Sequence, residues 1–372
     1  MESSWHSDTS PTGSVWTPIK ILHSSTNFGP LGKPRGKYGE KMDREEYWKD
    51  RVVLITGVTG FVGSSLAARL VNLGAHIVGL VRDEVVESNF HFLGLEKVVT
   101  VVRGSLEDYP LLERTINEYA VEVVYHLGAQ AIVSTANRSP LSTFKANIEG
   151  TWNLMEACRG KNHIQAVVIA SSDKAYGTHK ELPYREDFPL NPEYPYDVSK
   201  ACADLIARSY FRTYGLPVVV TRFANIYGPG DLNFSRIIPD TIRSILQGKN
   251  PIIRSDGTPE RDYLYIDDVT DLYLLLAERI DETRGEVFNA GHNKPISVLT
   301  LVETILRLSG RSDLRPEIKG KGSLHGEIDR QWLDGEKVKR LVGWKPQVGL
   351  EEGLRKTITW YQSIFLKGDK EQ

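Results

Sequence analysis

The sequence predicts an α/β fold in which a doubly wound parallel sheet is joined to a smaller C-terminal α/β domain. Two observations predict the sheet. Short apolar runs of strand length, Val52 to Thr56, His76 to Val81, Val123 to Leu127, Ala166 to Ala170 and Pro217 to Arg222, alternate with amphipathic helical patterns. The first run passes straight into Gly57-Val58-Thr59-Gly60-Phe61-Val62-Gly63, a glycine loop that opens a helix reaching about Leu73. A third observation predicts the second domain. After Arg222 the alternation gives way to long irregular segments, Phe223 to Phe234 and Pro251 to Tyr265, of the kind that carries binding function.

The chain has 372 residues, enough for two domains and a sizeable core. Residues 1–42 are rich in Ser, Thr, Pro and Gly without sustained periodicity, and are expected to form a flexible N-terminal tail. Residues 43–225 are expected to form the nucleotide-binding domain, and 226–372 mainly the substrate domain, with segments returning to the first. A net charge of −2 gives no basic footprint for nucleic acid and no polybasic membrane patch. No apolar run approaches the roughly 18 residues of a membrane span. Cys158 and Cys202 suggest no disulfide framework, which fits a reducing, cytoplasmic setting. Nine histidines without paired ligand spacing point to no metal site.

In chain order, the glycines of Gly57-x-x-Gly60-x-x-Gly63 let the backbone turn tightly and approach a pyrophosphate. That pyrophosphate would sit on the free amides of the following helix, at Phe61 and Val62. The sheet is therefore of the Rossmann type and the expected cofactor is NAD(P). The second strand should end at the adenosine ribose, where Arg82 suits a 2′-phosphate but Asp83 and Glu84 oppose one. The balance favours NAD and leaves NADP open. Ser105 and Leu106, after the third strand, are placed at the adenine. Leu127, Ala129 and Gln130, in His126-Leu127-Gly128-Ala129-Gln130, lie where small residues let the backbone meet the nicotinamide ribose. His126 is expected to pack at the strand end, and Asn147 and Gly150 to serve packing and hydrogen bonding.

The chemistry gathers after the strand Ala166 to Ala170, in Ser171-Ser172-Asp173-Lys174, where open α/β sheets place their active sites. A second pair, Tyr196 and Lys200, starts a helical pattern four residues apart and so shares one face. A lysine ammonium held beside a phenol lowers its pKa and makes a base of it; Lys200 is also expected at the cofactor.

With the glycine triplet, Ser172-Asp173-Lys174 and Tyr196-x-x-x-Lys200 in register, residues 50–366 resemble the extended short-chain dehydrogenase/reductase superfamily. The likeness is greatest to the nucleoside-diphosphate-sugar 4,6-dehydratases, and among them to the CDP-glucose 4,6-dehydratases. It is carried by Gly128-Ala129-Gln130, Arg222 to Asn225, Arg236 to Asp240, Arg261-Asp262 and Leu341 to Pro346. Ser172 departs from the threonine of those enzymes by one methyl group, and Ser105 from their aspartate.

The resemblance implies internal hydride transfer through bound NAD(P), converting an NDP-hexose to its 4-keto-6-deoxy derivative. Tyr196 would take the 4-hydroxyl proton, with Lys200 supporting it and Ser172 positioning the hydroxyl. Asp173 would protonate the leaving 6-hydroxyl, and Lys174 would be the C-5 base or its electrostatic partner. Arg236 and Arg261 are candidates for the diphosphate, Asn225 and Gln130 for hydrogen bonds to the substrate, and His325 for the base. Asp262 is expected to orient Arg261, and Arg222 to serve either the ligand or the fold. Two alternatives stand beside this reading: a sugar-nucleotide 4-epimerase, which needs no acid–lysine pair, and a non-catalytic nucleotide sensor. The expected partner besides substrate is a second copy of the chain, paired through the helices around 139–159 and 196–214.

Overall fold

The computed structural model describes residues 43–322 and 328–368. His325 and the expected tail, residues 1–42, lie outside the described residues. Six strands alternate with helices in the first part of the chain. They are β1 (Val52–Thr56), β2 (His76–Val81), β3 (Thr100–Arg103), β4 (Val123–His126), β5 (Ala166–Ala170) and β6 (Val218–Phe223). Eight further strands follow: β7 (Asn225–Tyr227), β8 (Ile252–Ile253), β9 (Glu260–Arg261), β10 (Tyr263–Tyr265), β11 (Val287–Ala290), β12 (Ile296–Ser297), β13 (Glu317–Ile318) and β14 (Arg330–Gln331).

The main sheet has seven strands in the order β11-β6-β5-β4-β1-β2-β3. Every pairing in it is parallel. This is the doubly wound Rossmann arrangement, and its strand order reverses between β1 and β4, where such sheets bind ligands. Because helices cover both faces, the strands are apolar throughout: Val53, Leu54 and Ile55 of β1 and Val167, Val168 and Ile169 of β5 are fully buried. Two apolar clusters form on the two faces. One gathers Trp48, Leu66, Tyr125, Tyr273 and Phe288. The other gathers Leu54, Ile116, Leu154, Val167 and Leu216.

A third cluster, built on Ile238, Ile242, Tyr263, Leu301, Ile305, Leu354 and Tyr361, belongs to the C-terminal half. Its small sheets, β7–β10, β8–β13 and β9 between β12 and β14, carry two of the expected substrate residues, Asn225 on β7 and Arg261 on β9. The chain returns to the main sheet after Phe223. The helix Ile266–Glu278 packs on it, with the Tyr125 hydroxyl donating to the Tyr273 carbonyl at 3.0 Å, and β11 extends it beside β6. The helix Glu336–Val342 packs against its edge strand β11.

One expected helix, around Phe144 to Cys158, is interrupted. Helical turns at Pro140–Phe144 and Gly150–Cys158 flank a π-turn at Lys145–Glu149. Such a wide turn admits one extra residue and is frequent at functional sites. Here it sets the Asn147 side chain against the active-site loop.

Candidate active site

The cofactor cradle is built by close approach of backbones. Gly57 has φ +72°, and a Cβ there would stand 2.8 Å from the Gly128 Cα, so β1 and β4 end almost in contact. A Cβ on Gly63 would meet the Gly57 carbonyl oxygen at 2.2 Å. The helix Phe61–Asn72 starts at Gly60 with no side-chain cap, leaving the amides of its first turn for an anion. Glycines that hold the loop tight above bare helix amides fit a dinucleotide pyrophosphate.

Below the cradle, Gly128 N–H donates to Thr56 Oγ1 at 3.0 Å, and Thr56 Oγ1 lies 2.8 Å from His126 Nδ1. His126 Nε2 is 3.0 Å from Thr151 Oγ1, whose hydroxyl donates to the Asn147 carbonyl. Burial draws the His126 imidazole down to about 3, with Lys200 adding to the effect. The ring is thus neutral and wedged between two threonines, a packed strand-end residue as expected.

At the end of β2, Arg82 Nε donates to Asp83 Oδ2 at 2.7 Å, both side chains exposed. Glu84 pairs with Arg103 at 2.7 Å. Asp83 therefore offsets the charge of Arg82 where a 2′-phosphate would need it. Leu106 stands against the cradle, since a Cβ on Gly128 would come within 3.2 Å of its Cδ1. Ser105, next to it, is half-buried. Leu127, Ala129 and Gln130 are half-buried at the end of β4. The Gln130 side chain folds back to accept from Ile132 N–H at 3.1 Å, which spends its oxygen within the loop.

The residues expected to carry the chemistry follow the adjoining strand. After β5, Ser172 is extended and caps the 3₁₀ turn Asp173–Tyr176, accepting from Lys174 N–H at 3.2 Å and donating to Asp173 Oδ1 at 3.0 Å. Asp173 is 6% exposed, and burial pushes its carboxyl up against the opposing pull of Lys174, Ser172 and Arg261. Lys174 is half-buried.

Tyr196 and Lys200 lie on the first turns of the helix Pro195–Tyr214. Lys200 Nζ donates to the Ala170 carbonyl at 2.8 Å, and burial draws its ammonium down to about 8. Burial pushes the Tyr196 phenol up to about 12, with Ser172 as a hydrogen-bonding neighbour and Arg236 pulling the other way. The expected lowering of the phenol by Lys200 is not what this geometry gives. Desolvation dominates the phenol, and the groups acting on it are Ser172, Asp173, Arg236 and Asp197 rather than Lys200.

Asn147, expected from sequence to serve packing and hydrogen bonding, makes three hydrogen bonds here. Its Oδ1 accepts from Gln130 N–H at 2.7 Å, and its Nδ2 donates to the Gln130 carbonyl at 3.1 Å and to Ser199 Oγ at 2.8 Å. Ser199 in turn donates to the Tyr196 carbonyl at 2.7 Å. One amide thus ties the β4 loop to the Tyr–Lys helix. No sequence pattern marks it, because the contact depends on the π-turn.

The expected diphosphate ligands are partly brought together. Arg261, 8% exposed, donates to the carbonyls of Glu260 and Asp329 and lies close enough to Asp173 to act on its charge. Arg236 Nη1 pairs with Asp231 Oδ2 at 3.0 Å and reaches toward Tyr196. Asn225 Nδ2 donates to the Asp262 carbonyl at 3.4 Å. Asp262 does not orient the Arg261 side chain: its oxygens accept from Tyr263 and Asn293 amides at 3.0 and 2.9 Å and so fix the β11–β12 loop. Arg222 belongs to the fold. It is 1% exposed, forks onto Asp204 at 2.8 and 3.1 Å, and stacks 4.6 Å over the Tyr176 ring. Among the described residues no group of His, Cys, Asp and Glu could hold a metal.

A dinucleotide cradle at the switch point, with a hydroxyl, a tyrosine and a lysine at the next strand end, is the arrangement of an extended short-chain dehydrogenase/reductase. Comparison with known proteins narrows the class. The chain belongs to the GDP-mannose 4,6 dehydratase family, whose model matches residues 54–357. It is similar to the CDP-glucose 4,6-dehydratase of Salmonella typhimurium, with 30% identity over 87% of this chain and 94% of that one. A putative UDP-glucose 4-epimerase of Methanocaldococcus jannaschii is 32% identical over 84% of this chain and 99% of its own. Among solved structures, the dTDP-glucose 4,6-dehydratase of Bacillus anthracis in complex with NAD superposes with a TM-score of 0.75. Its identity is 30%, over 84% of this chain and 97% of that one. The protein is thus an enzyme of the nucleotide-sugar dehydratase and epimerase group.

Proposed function

We propose that the chain is an NDP-sugar 4,6-dehydratase, converting an NDP-hexose of the CDP-glucose kind to its 4-keto-6-deoxy derivative. The observation that carries this is Asp173, a carboxyl whose protonated form burial favours, one residue from the hydroxyl that addresses the sugar. A 4-epimerase has no use for an acid there. NAD, when bound, would accept the hydride of C-4 and return it to C-6. The Arg82–Asp83 pair at the ribose favours it over NADP.

The chain's own residues do the rest. Tyr196, hydrogen-bonded through Ser172, takes the 4-hydroxyl proton. A buried phenol needs a positive neighbour to ionise, and Arg236 supplies one. Lys200 holds the strand end and the cofactor ribose. Asp173 protonates the leaving 6-hydroxyl, a role that its dry setting suits. Lys174 stands at C-5. Arg261 and Arg236 neutralise the diphosphate, each steadied by a carbonyl or a carboxylate.

Incubation with CDP-, dTDP-, GDP- and UDP-hexoses tests this. A keto sugar carrying solvent deuterium at C-5 is expected; a product that is only the 4-epimer would leave the epimerase reading in its place. The half-exposed Leu205, Trp152 and Tyr214 on the outer helices support pairing with a second copy. Light scattering that reports a monomer would rule this pairing out. The free cysteines Cys158 and Cys202 suit the cytoplasm, which fractionation of the source cells would check.

A further inference from the structure

An acid that protonates a leaving group must be held in place, and the turn that carries Asp173 has to be fixed at both ends. The 3₁₀ turn Asp173–Tyr176 closes on itself, Ala175 N–H donating to the Ser172 carbonyl at 3.2 Å and Gly177 N–H to the Lys174 carbonyl at 3.1 Å. Its first end is set by β5 and Ser172. Its other end is Tyr176, a fully buried side chain with no part in the chemistry described so far.

Two neighbouring positions of the main sheet grip that tyrosine. Arg222 on β6 and Asn289 on β11 are register partners in a parallel pair, so their side chains lie on one face. The Arg222 guanidinium stands 4.6 Å over the Tyr176 ring, and the Tyr176 hydroxyl donates to Asn289 Oδ1 at 2.8 Å. Asn289 is the one polar residue of β11 and is fully buried, a place where an amide is costly unless it is paired. Its other bonds go to the segment 177–191 that follows the turn. Nδ2 donates to the Tyr184 carbonyl at 2.9 Å, and the backbone N–H to Glu186 Oε1 at 2.8 Å. The Tyr184 hydroxyl comes back to the turn and donates to the Gly177 carbonyl at 2.8 Å. Tyr176, Asn289, Tyr184 and Gly177 thus form a closed ring of contacts that ties the end of the acid turn to the edge strand.

We propose that Asn289 is a positioning residue for the elimination, holding the acid turn through the Tyr176 hydroxyl so that Asp173 meets the sugar 6-hydroxyl. Asn289 acts only through Tyr176. The oxidation at C-4 has a separate support, because Tyr196 lies on the helix Pro195–Tyr214. Asp204 and Arg222 bind that helix to β6, and losing the Tyr176 hydroxyl leaves their pair intact. Freeing the far end of the turn therefore weakens protonation of the leaving hydroxyl and spares hydride transfer from C-4.

The inference rests on the dehydratase reading, and the experiment separates the two. The holoenzyme is assayed with whichever of CDP-, dTDP-, GDP- or UDP-glucose yields a keto sugar. Tyr176→Phe removes the bond to Asn289 and keeps the ring under Arg222. It should lower the rate of 4-keto-6-deoxy product formation by about 10- to 10²-fold and leave KM for the sugar nucleotide unchanged. Substrate should still reduce the bound nicotinamide at the parent's rate, so reduced cofactor accumulates. Asn289→Ala should show the same split, and the double variant should lose no more than the worse single one, since both remove one bond. Reduction and product formation slowed alike, an unchanged rate in Tyr176→Phe, or losses that add in the double variant overturns the proposal. If Asn289→Ala does not fold, the ratio of the two steps in Tyr176→Phe decides. A parent enzyme that makes only an epimer overturns the dehydratase reading and this inference with it, whereas equal slowing in the variants overturns this inference alone.

Discussion

Burial acts in opposite senses on Tyr196 and Lys200, lifting the phenol to about 12 and drawing the ammonium to about 8. Each shift penalises the charged form, and each is a statement about stability as well as reactivity. Lys200 titrates at about 8 in the fold against 10.5 when free, so between those values the unfolded chain binds more protons. Stability therefore rises with pH across that window, and the full penalty stands below it. Lys200→Met should abolish turnover yet leave the cofactor-free protein at pH 7 at least as stable as the parent. It should also lose the parent's rise in stability above pH 8. Urea denaturation at pH 7 and pH 10 checks both. At this scale the sequence singled out Ser172, Asp173, Lys174, Tyr196 and Lys200 as the expected chemical residues. It left Arg222 open between ligand and fold and gave Asp262 the orienting of Arg261, because Asp204 and the Asn293 amide meet these residues only across the fold.

Elements are joined here by contacts that leave no slack. The glycine loop and the helix Phe61–Asn72 meet so closely that a methyl group on Gly63 would press into the Gly57 carbonyl. Gly63→Ala should cost about 1–3 kcal/mol of stability and strip the purified protein of its dinucleotide, read by absorbance and by urea unfolding. Between the helix Pro195–Tyr214 and β6, Asp204 and Arg222 form an ion pair almost without solvent contact. Removing one partner leaves a bare buried charge, so Asp204→Asn should destabilise by about 3–5 kcal/mol. Replacing both, as Asp204→Leu with Arg222→Met, should recover most of that loss. A double change as damaging as the single one would contradict this account. Strand and helix placement was legible from apolar runs and periodicity. The π-turn at Lys145–Glu149 was not, since its extra residue leaves the hydrophobic pattern unbroken while redirecting Asn147 onto the β4 loop.

Over the whole molecule, residues far apart in the chain close the same core. The short helix Arg44–Trp48 is anchored to the helix Ile266–Glu278: Trp48 Nε1 donates to Glu278 at 2.7 Å, the Tyr47 hydroxyl donates to the Ala277 carbonyl at 3.0 Å, and Arg44 pairs with Asp271 and Glu278. Trp48 is fully buried, with its ring 6.4 Å from that of Tyr125 on β4. Trp48→Ala should therefore cost about 3–5 kcal/mol, seen as a lowered urea midpoint, although the residue is remote from the active site. A loss below about 1 kcal/mol would show that this helix is not part of the core.

By itself the sequence determined the class of fold, and it singled out the glycine loop and the five residues proposed for the chemistry. Those signals are local: a glycine spacing, apolar runs, and side chains adjacent or one helical turn apart. The tertiary structure decided what no spacing encodes. It spends Lys200 on the Ala170 carbonyl, commits Arg222 to Asp204, and brings Asn147 to the Gln130 backbone. It also buries Asp197 on the first turn of the helix Pro195–Tyr214. Whether a titratable group is a catalyst, a strut or a counter-charge depends on its solvent and its neighbours, and both are set only when distant segments pack.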